Sequence, residues 1–352
     1  MAHKHLKGLD TLRAIAALVV VWGHIESVKV EKGIVKDPGY SPGGHLGVVL
    51  FFVISGFIIT YLLVKEKEMN QRISFRNFYI RRILRIWPLY YLIILLSFLF
   101  FKADYTSKML LLCLTIFPNV AYAVDAGWPS SPQIWSIGVE EQFYLLWPFI
   151  LNKLNEKKIP LFLILFFLLY SILPHAFDFY NGHFLHNEHW RTIIDKFFFG
   201  AKFNSMALGA LAGYFYAKKG DKPLLITRNF IALPVIATAL ICWLARIHLP
   251  FFDDEFYSIL FAIIIYNVVA NQHLNIDNRI LSFLGKISYG IYMFHWIIIL
   301  LLIKYIPFET NDIGFNIQLY TATFAGTIFV SWISYISFER FFLRIKKRFE
   351  TK

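Results

Sequence analysis

Apolar runs of bilayer-spanning length recur along the whole of this chain. They confine it to structures that satisfy every backbone polar group internally. A helical span needs about 20 predominantly apolar residues, and runs of this kind lie at 12–28, 46–64, 84–102, 134–151, 159–174, 193–216, 230–247, 255–272, 281–303 and 316–338. The expected fold is therefore all-α, a polytopic membrane helix bundle of about ten transmembrane helices. Composition agrees, since 57% of the 352 residues are hydrophobic and only 16% are charged, against about a quarter in soluble domains.

Charge sets the expected orientation. The connector KEKEMNQRISFRNFYIRRILR (65–85) is the most basic, and NKLNEKK (152–158), AKKGDKPLLITRN (217–229) and the tail ERFFLRIKKRFETK should share its side. The positive-inside rule makes that side cytoplasmic and places both termini there. Counting the moderately apolar stretch 109–124 as a further span would put every later basic loop outside. Residues 103–133 are therefore read as an outward-facing or re-entrant excursion closed by the turn cluster GWPSSPQ. The first run is interrupted by Arg13 and ends in WGHIESVKVEK, without a small-x-small cleavage site, so it reads as a retained span and not a signal peptide.

The chain shows no internal repeat and no low-complexity segment, so residues 1–352 are expected to form a single integral-membrane domain without a fused soluble domain. The net charge of +12 lies in connectors and follows the topology pattern, which argues against a nucleic-acid partner and for contact with membrane lipids. Cys113 and Cys242 both sit in apolar segments and read as core thiols, not a disulfide. Oligomeric state is not legible.

Three polar constellations interrupt the apolar runs. In LDTLRAIAALVVVWGH (9–24), Arg13 and His24 are eleven residues apart, which puts them on one helix face about 16 Å apart along the axis. Ionisable groups inside a span are costly and default to function; the plain alternative is an arginine reaching the headgroups and a histidine in the outer interface. In RRILRIWP (81–88), Arg81, Arg82 and Arg85 stand at i, i+3 and i, i+4 spacings. Clustered guanidinium groups suit bidentate phosphate binding, although a basic cluster is more often only a topology signal. In WSIGVEEQFYLLWP (135–148), Ser136, Glu140 and Tyr144 fall at i, i+4 and i+8 and form a polar stripe expected to face the bundle interior, with Glu141 about 100° away.

Taken in order, LDTLRAIAALVVVWGH, GVVLFFVISGFIITYLL (47–63), FYIRRILRIWPLYY (78–91), WSIGVEEQFYLLWP and LGKISYGIYMFHW (284–296) resemble the acyltransferase family 3 integral-membrane proteins, which O-acylate cell-surface glycans and related molecules. The resemblance spans nearly the whole chain. It implies about ten spans in the plasma (inner) membrane, a cytoplasmic acyl-CoA donor and a carbohydrate acceptor, surface-exposed or lipid-linked. The family's arginine–ten residues–histidine motif falls on Arg13 and His24, and its arginine–two residues–arginine motif on Arg82 and Arg85. Its Glu-x-Gln-Phe-Tyr falls on Glu140, Gln142, Phe143 and Tyr144, and its late histidine on His295. Two departures stand out: Phe341 follows Glu339-Arg340 where the family often has proline, and KFNSMALGAL (202–211) lacks the usual arginine and acid.

The expected chemistry is transfer of an acyl group, with acetyl from acetyl-CoA as the simplest case, to a sugar hydroxyl. Arg81, Arg82 and Arg85 would hold CoA phosphates, and Arg13 would add charge or hold its helix in register. His24 would act as general base, or carry the acyl group itself. Glu140 would orient the imidazole or the acceptor, with Ser136, Gln142, Tyr144 and His295 on the substrate side. A lone histidine in an apolar helix is otherwise more often structural. No metal is expected: His175, His183, His186 and His189 crowd the loop 174–192, but without a cysteine or a defensible helical register. The rival from another class is a transporter using Arg13, His24 and Glu140 as a proton or substrate relay.

Overall fold

The computed structural model describes residues 6–41, 43–220, 229–271, 274–305 and 313–350. The parts of the basic connector and tail at 221–228 and 351–352, like residues 1–5, lie outside the described residues. Those described form helices joined by loops, without a β-strand among them. In chain order the α-helices are α1 (Leu9–Glu31), α2 (Gly44–Asn70), α3 (Phe75–Phe100), α4 (Ser107–Leu114), α5 (Pro118–Ala123), α6 (Trp135–Lys153), α7 (Ile159–Tyr180) and α8 (Glu188–Gly200). They continue with α9 (Phe203–Lys219), α10 (Asn229–Leu244), α11 (Asp253–Ala270), α12 (Arg279–Lys286), α13 (Ser288–Tyr305), α14 (Ile313–Ser334) and α15 (Arg340–Lys346).

Six helical segments among the described residues are long and apolar enough to cross a membrane: those of α1, α2, α3, α7, α13 and α14, the last running on to Phe349. They fall on six of the ten expected runs. The other four are shorter or more polar. α10 has 16 residues, α6 carries Ser136, Glu140, Glu141 and Gln142, and α11 opens on Asp253, Asp254 and Glu255. The single run expected over 193–216 is in fact broken, because α8 ends at Gly200 and α9 begins at Phe203. The break sits where Lys202 pairs with Asp254 of α11, and α8 itself carries a charged face on which Arg191 binds Asp178 at 3.0 Å. An amphipathic helix of that kind does not continue as a span.

The excursion at 103–133 contains α4 and α5, of 8 and 6 residues, each far too short to cross a bilayer. The histidine-rich stretch expected as a loop is partly helical, since α7 runs to Tyr180 and ends in a π-helical turn, Asn181–Leu185. Its histidines turn to separate backbone carbonyls: His175 to Phe251 at 2.9 Å and His183 to Phe179 at 2.8 Å. Cys113 and Cys242 are free and buried.

α2 is the hub, packing against α1, α6, α9 and α11. Its crossing with α9 depends on glycine. A Cβ at Gly56 would stand 2.0 Å from the Met206 carbonyl oxygen, and one at Gly209 would stand 2.0 Å from that of Val53. Small residues let helix backbones meet where lipid supplies no hydrophobic drive for association. α7, by contrast, turns Leu161, Leu165, Leu169 and Ile172 outward, a surface suited to acyl chains. Because backbone cannot retreat from an added methyl as a side-chain end can, Gly209→Val should destabilise the bundle by about 1–3 kcal/mol or more. A lower melting temperature in detergent checks this, with Gly220→Val, which meets nothing within 4 Å but has a positive φ, as a backbone-strain control.

Candidate active site

Two cavities lie one above the other inside the bundle. The first, about 660 Å³, is lined by Arg13 from α1, Ser55 from α2, Arg82 and Arg85 from α3, Ser136, Glu140 and Tyr144 from α6, and Ser288, Tyr289 and Tyr292 from α13. The stripe expected on α6 therefore faces inward with its three members in register. Glu140 accepts hydrogen bonds from Ser55 Oγ at 2.8 Å and from the Tyr144 hydroxyl at 3.0 Å. The Arg82 guanidinium stands over the rings of Tyr144 and Phe78, at 5.5 and 5.7 Å, and its buried Nε has no hydrogen-bond partner.

The balance of charge in this cavity is uneven. Three guanidinium groups line it, and Glu140 is the one carboxylate among the described lining residues. None of the three arginines is in direct ion-pair contact with a carboxylate among the described residues. Cations in a low-dielectric interior call for opposing charge, carbonyls, aromatic faces or water, and an anion entering this cavity would meet an excess of positive charge along its wall.

The second cavity, about 1100 Å³, opens at the other end of α1. His24, His45, Trp135, Arg246 and Tyr292 are among its lining residues. His24 Nδ1 lies 2.7 Å from His295 Nε2, and the two ring planes differ by 6° with centroids 4.9 Å apart. One nitrogen must donate and the other accept, so the pair holds a single proton between the rings. Trp296 packs edge-on against His24, centroid to centroid 4.9 Å. Two residues on, buried Glu26 binds Lys29 at 2.9 Å and accepts from the Tyr320 hydroxyl and the Gly39 amide. Lys29 reaches Asn316 at 2.8 Å, so this network fixes the end of α1 to α14 and to the loop that roofs the cavity.

The structure thus gathers Arg13, Arg82, Arg85, Ser136, Glu140 and Tyr144 in one cavity and His24 in the other, while His295, expected on the substrate side, lines neither and is buried behind His24 as its ring partner. Glu140 is bonded to Ser55 and Tyr144 and not to His24, so it does not orient that imidazole. Arg81 and Gln142 do not reach either cavity. Arg81 is drawn to buried Glu66 at 2.8 Å and to the Phe349 carbonyl at 2.8 Å, a clamp between α2, α3 and the chain's last described turn. Gln142 exchanges two hydrogen bonds with Asn119 of α5, at 3.1 and 2.8 Å. Ser55, Tyr289 and Tyr292 line the site although sequence reasoning passed over them. Ser55 is a hydroxyl inside GVVLFFVISGFIITYLL, and Ser288, Tyr292 and His295 stand at i, i+4 and i+7, a polar stripe of the kind already read on α6.

Residues 6–336 match a family model described as an acyltransferase domain. Among curated proteins, the peptidoglycan O-acetyltransferase OatA of Listeria monocytogenes is 26% identical over 361 residues, covering 92% of this chain and 54% of that protein. O-acetyltransferase OatA of Staphylococcus aureus is 26% identical over 329 residues, covering 86% and 52%. The chain spans about half the length of the curated relatives it matches. No solved structure matches it, and nothing in these comparisons supports a transporter.

The clamp is separable from the site. Arg81→Ala strands buried Glu66 without its counter-charge and should destabilise the fold by about 3–5 kcal/mol. Adding Glu66→Gln should recover part of that loss. Thermal unfolding of the single and double variants checks both expectations.

Proposed function

This chain belongs to the acyltransferase-domain family that its residues 6–336 match, and from that membership and the cavity geometry we propose that it is a multi-pass membrane O-acyltransferase. It moves an acyl group, acetyl in the simplest case, from cytoplasmic acyl-CoA to a hydroxyl of a cell-envelope carbohydrate. Its relatives' names point to peptidoglycan as the acceptor to test first. The observation that carries the reading is the excess of guanidinium over carboxylate in the first cavity. Arg82 and Arg85 would bind donor phosphates with Arg13 beside them, and Glu140 would keep the empty cavity from an uncompensated charge.

His24 would then serve the acceptor from the second cavity. For its Nε2 to take a proton, its Nδ1 must carry one and donate it to His295 Nε2, so His295 acts as a positioning residue that sets the tautomer. In the reaction the acceptor oxygen attacks the thioester carbonyl and its proton passes to His24 Nε2. The carbon–sulfur bond breaks, and the departing CoA sulfur takes the proton from His24. The reading includes ten spans in the plasma membrane with both termini cytoplasmic, the short helices α6, α9, α10 and α11 crossing within the bundle. About 30 Å of hydrocarbon is within reach of such helices where local thinning and snorkelling flanks adjust the fit.

Two tests follow. His24→Ala should lower acyl transfer by about 10²–10⁴-fold while acyl-CoA binding persists; Arg82→Lys should weaken binding, because a point charge does not replace a bidentate fork. Labelled acyl-CoA incorporation and equilibrium binding on purified protein separate the two, and near-normal transfer by folded His24→Ala would remove His24 from the chemistry. For topology, single cysteines at Lys157 and Lys219 should resist an impermeant label added outside whole cells, and one at His186 should react; external labelling at Lys157 would defeat the ten-span arrangement.

A further inference from the structure

The two cavities that this reaction must connect are kept apart by a wall one side chain thick. Tyr292 lines both, and so does Val48 on the facing helix α2. Tyr292 is buried, and both its hydroxyl and its ring have partners. Its hydroxyl lies 2.6 Å from Ser136 Oγ and donates to the Gln133 carbonyl at 3.0 Å. Phe51 meets the ring edge-on, with centroids 5.8 Å apart, and His295 lies 5.7 Å away. The Gln133 amide in turn donates to the Met293 carbonyl at 3.0 Å, which ties the start of α6 to α13 and fixes the frame around the ring.

We propose that Tyr292 is the partition between the donor and acceptor cavities and that, with Val48, it sets the size of the acyl group that this protein transfers. The inference rests on the reading that the arginine cavity holds the donor and His24 serves the acceptor. On that reading the acyl carbon must meet the acceptor hydroxyl across the Tyr292–Val48 wall. A two-carbon acyl group asks little of a slot beside the ring. Each added methylene needs more room at the same point, and the ring can yield it only by leaving Ser136 and the Gln133 carbonyl, both buried. The partition thus selects for short acyl groups, and it does so without touching the phosphates that hold the donor.

The test uses membrane vesicles that contain the full chain and its endogenous acceptor, supplied with labelled acetyl-CoA or butyryl-CoA. In Tyr292→Ala the ratio of butyryl to acetyl incorporation should rise about tenfold, the scale on which fitted pockets discriminate a methylene or two. Val48→Ala should raise the same ratio from the opposite wall, and it carries the test if Tyr292→Ala does not accumulate. Tyr292→Phe keeps the ring and loses only its anchors, so its ratio should rise less than that of Tyr292→Ala. A ratio unchanged in both alanine variants, with acetyl transfer still measurable, would overturn the partition while leaving the acyltransferase reading intact. Absence of acyl-CoA-dependent incorporation by the unaltered protein would overturn that reading, and the partition with it.

Discussion

Three guanidinium groups share one cavity with a single carboxylate, inside a bundle whose outer surface is apolar. A charge within a membrane bundle must face the interior, find a partner or meet water, so the helices that carry Arg13, Arg82, Arg85 and Glu140 have to converge. α1, α2, α3, α6 and α13 do so at the cavity, where α2 supplies Ser55 to one oxygen of Glu140 while Tyr144 binds the other. Glu140 is therefore held within the wall by two hydrogen bonds, and with three guanidinium groups against one carboxylate the described lining is positive on balance.

Convergence of that kind needs rigid surroundings, and the structure supplies them with contacts remote from the cavity itself. The glycine crossing of α2 and α9 brings backbone against backbone, so the hub helix cannot slide without a clash. Arg81 and Glu66 lock α3 to α2 at one end, while Glu26, Lys29, Tyr320 and Asn316 lock α1 to α14 at the other. Each pairs its buried polar groups, which is the condition for such groups to fix a geometry and not weaken it. Between these anchors α1 presents Arg13 to one cavity and His24 to the next, and a tyrosine divides them.

Much of this is legible in the amino-acid sequence alone. The spacing of Arg13 and His24 places both on the inner face of one helix, and the i, i+4, i+8 stripe on α6 identifies the face that lines the cavity. Other features are not legible there. Arg81 and Arg85 share a helix face by spacing, yet Glu66, fifteen residues before Arg81, captures one and leaves the other to the cavity. The run at 193–216 looks continuous because its residues are apolar on average; the pairing of Lys202 with Asp254, fifty-two residues away, marks where it breaks. Glu140, expected to orient the imidazole or the acceptor, has Ser55 and Tyr144 as its partners and not the imidazole, for the same reason: packing between helices chooses them.

The class of the molecule, the positions of its six long apolar helices and the polar residues that cannot face lipid come from the sequence. They follow from properties that act locally or along one helix, namely hydropathy, helical period and the energetic penalty of a charge in hydrocarbon. Which polar residue meets which is settled only when the helices pack: His24 with His295, Gln142 with Asn119, Arg81 with Glu66, and Tyr292 between the cavities. Those pairings join residues separated by 23 to 271 positions, except Arg81 and Glu66 at 15. They depend on the rotation and depth of each helix against its neighbours, which no single helix's period contains.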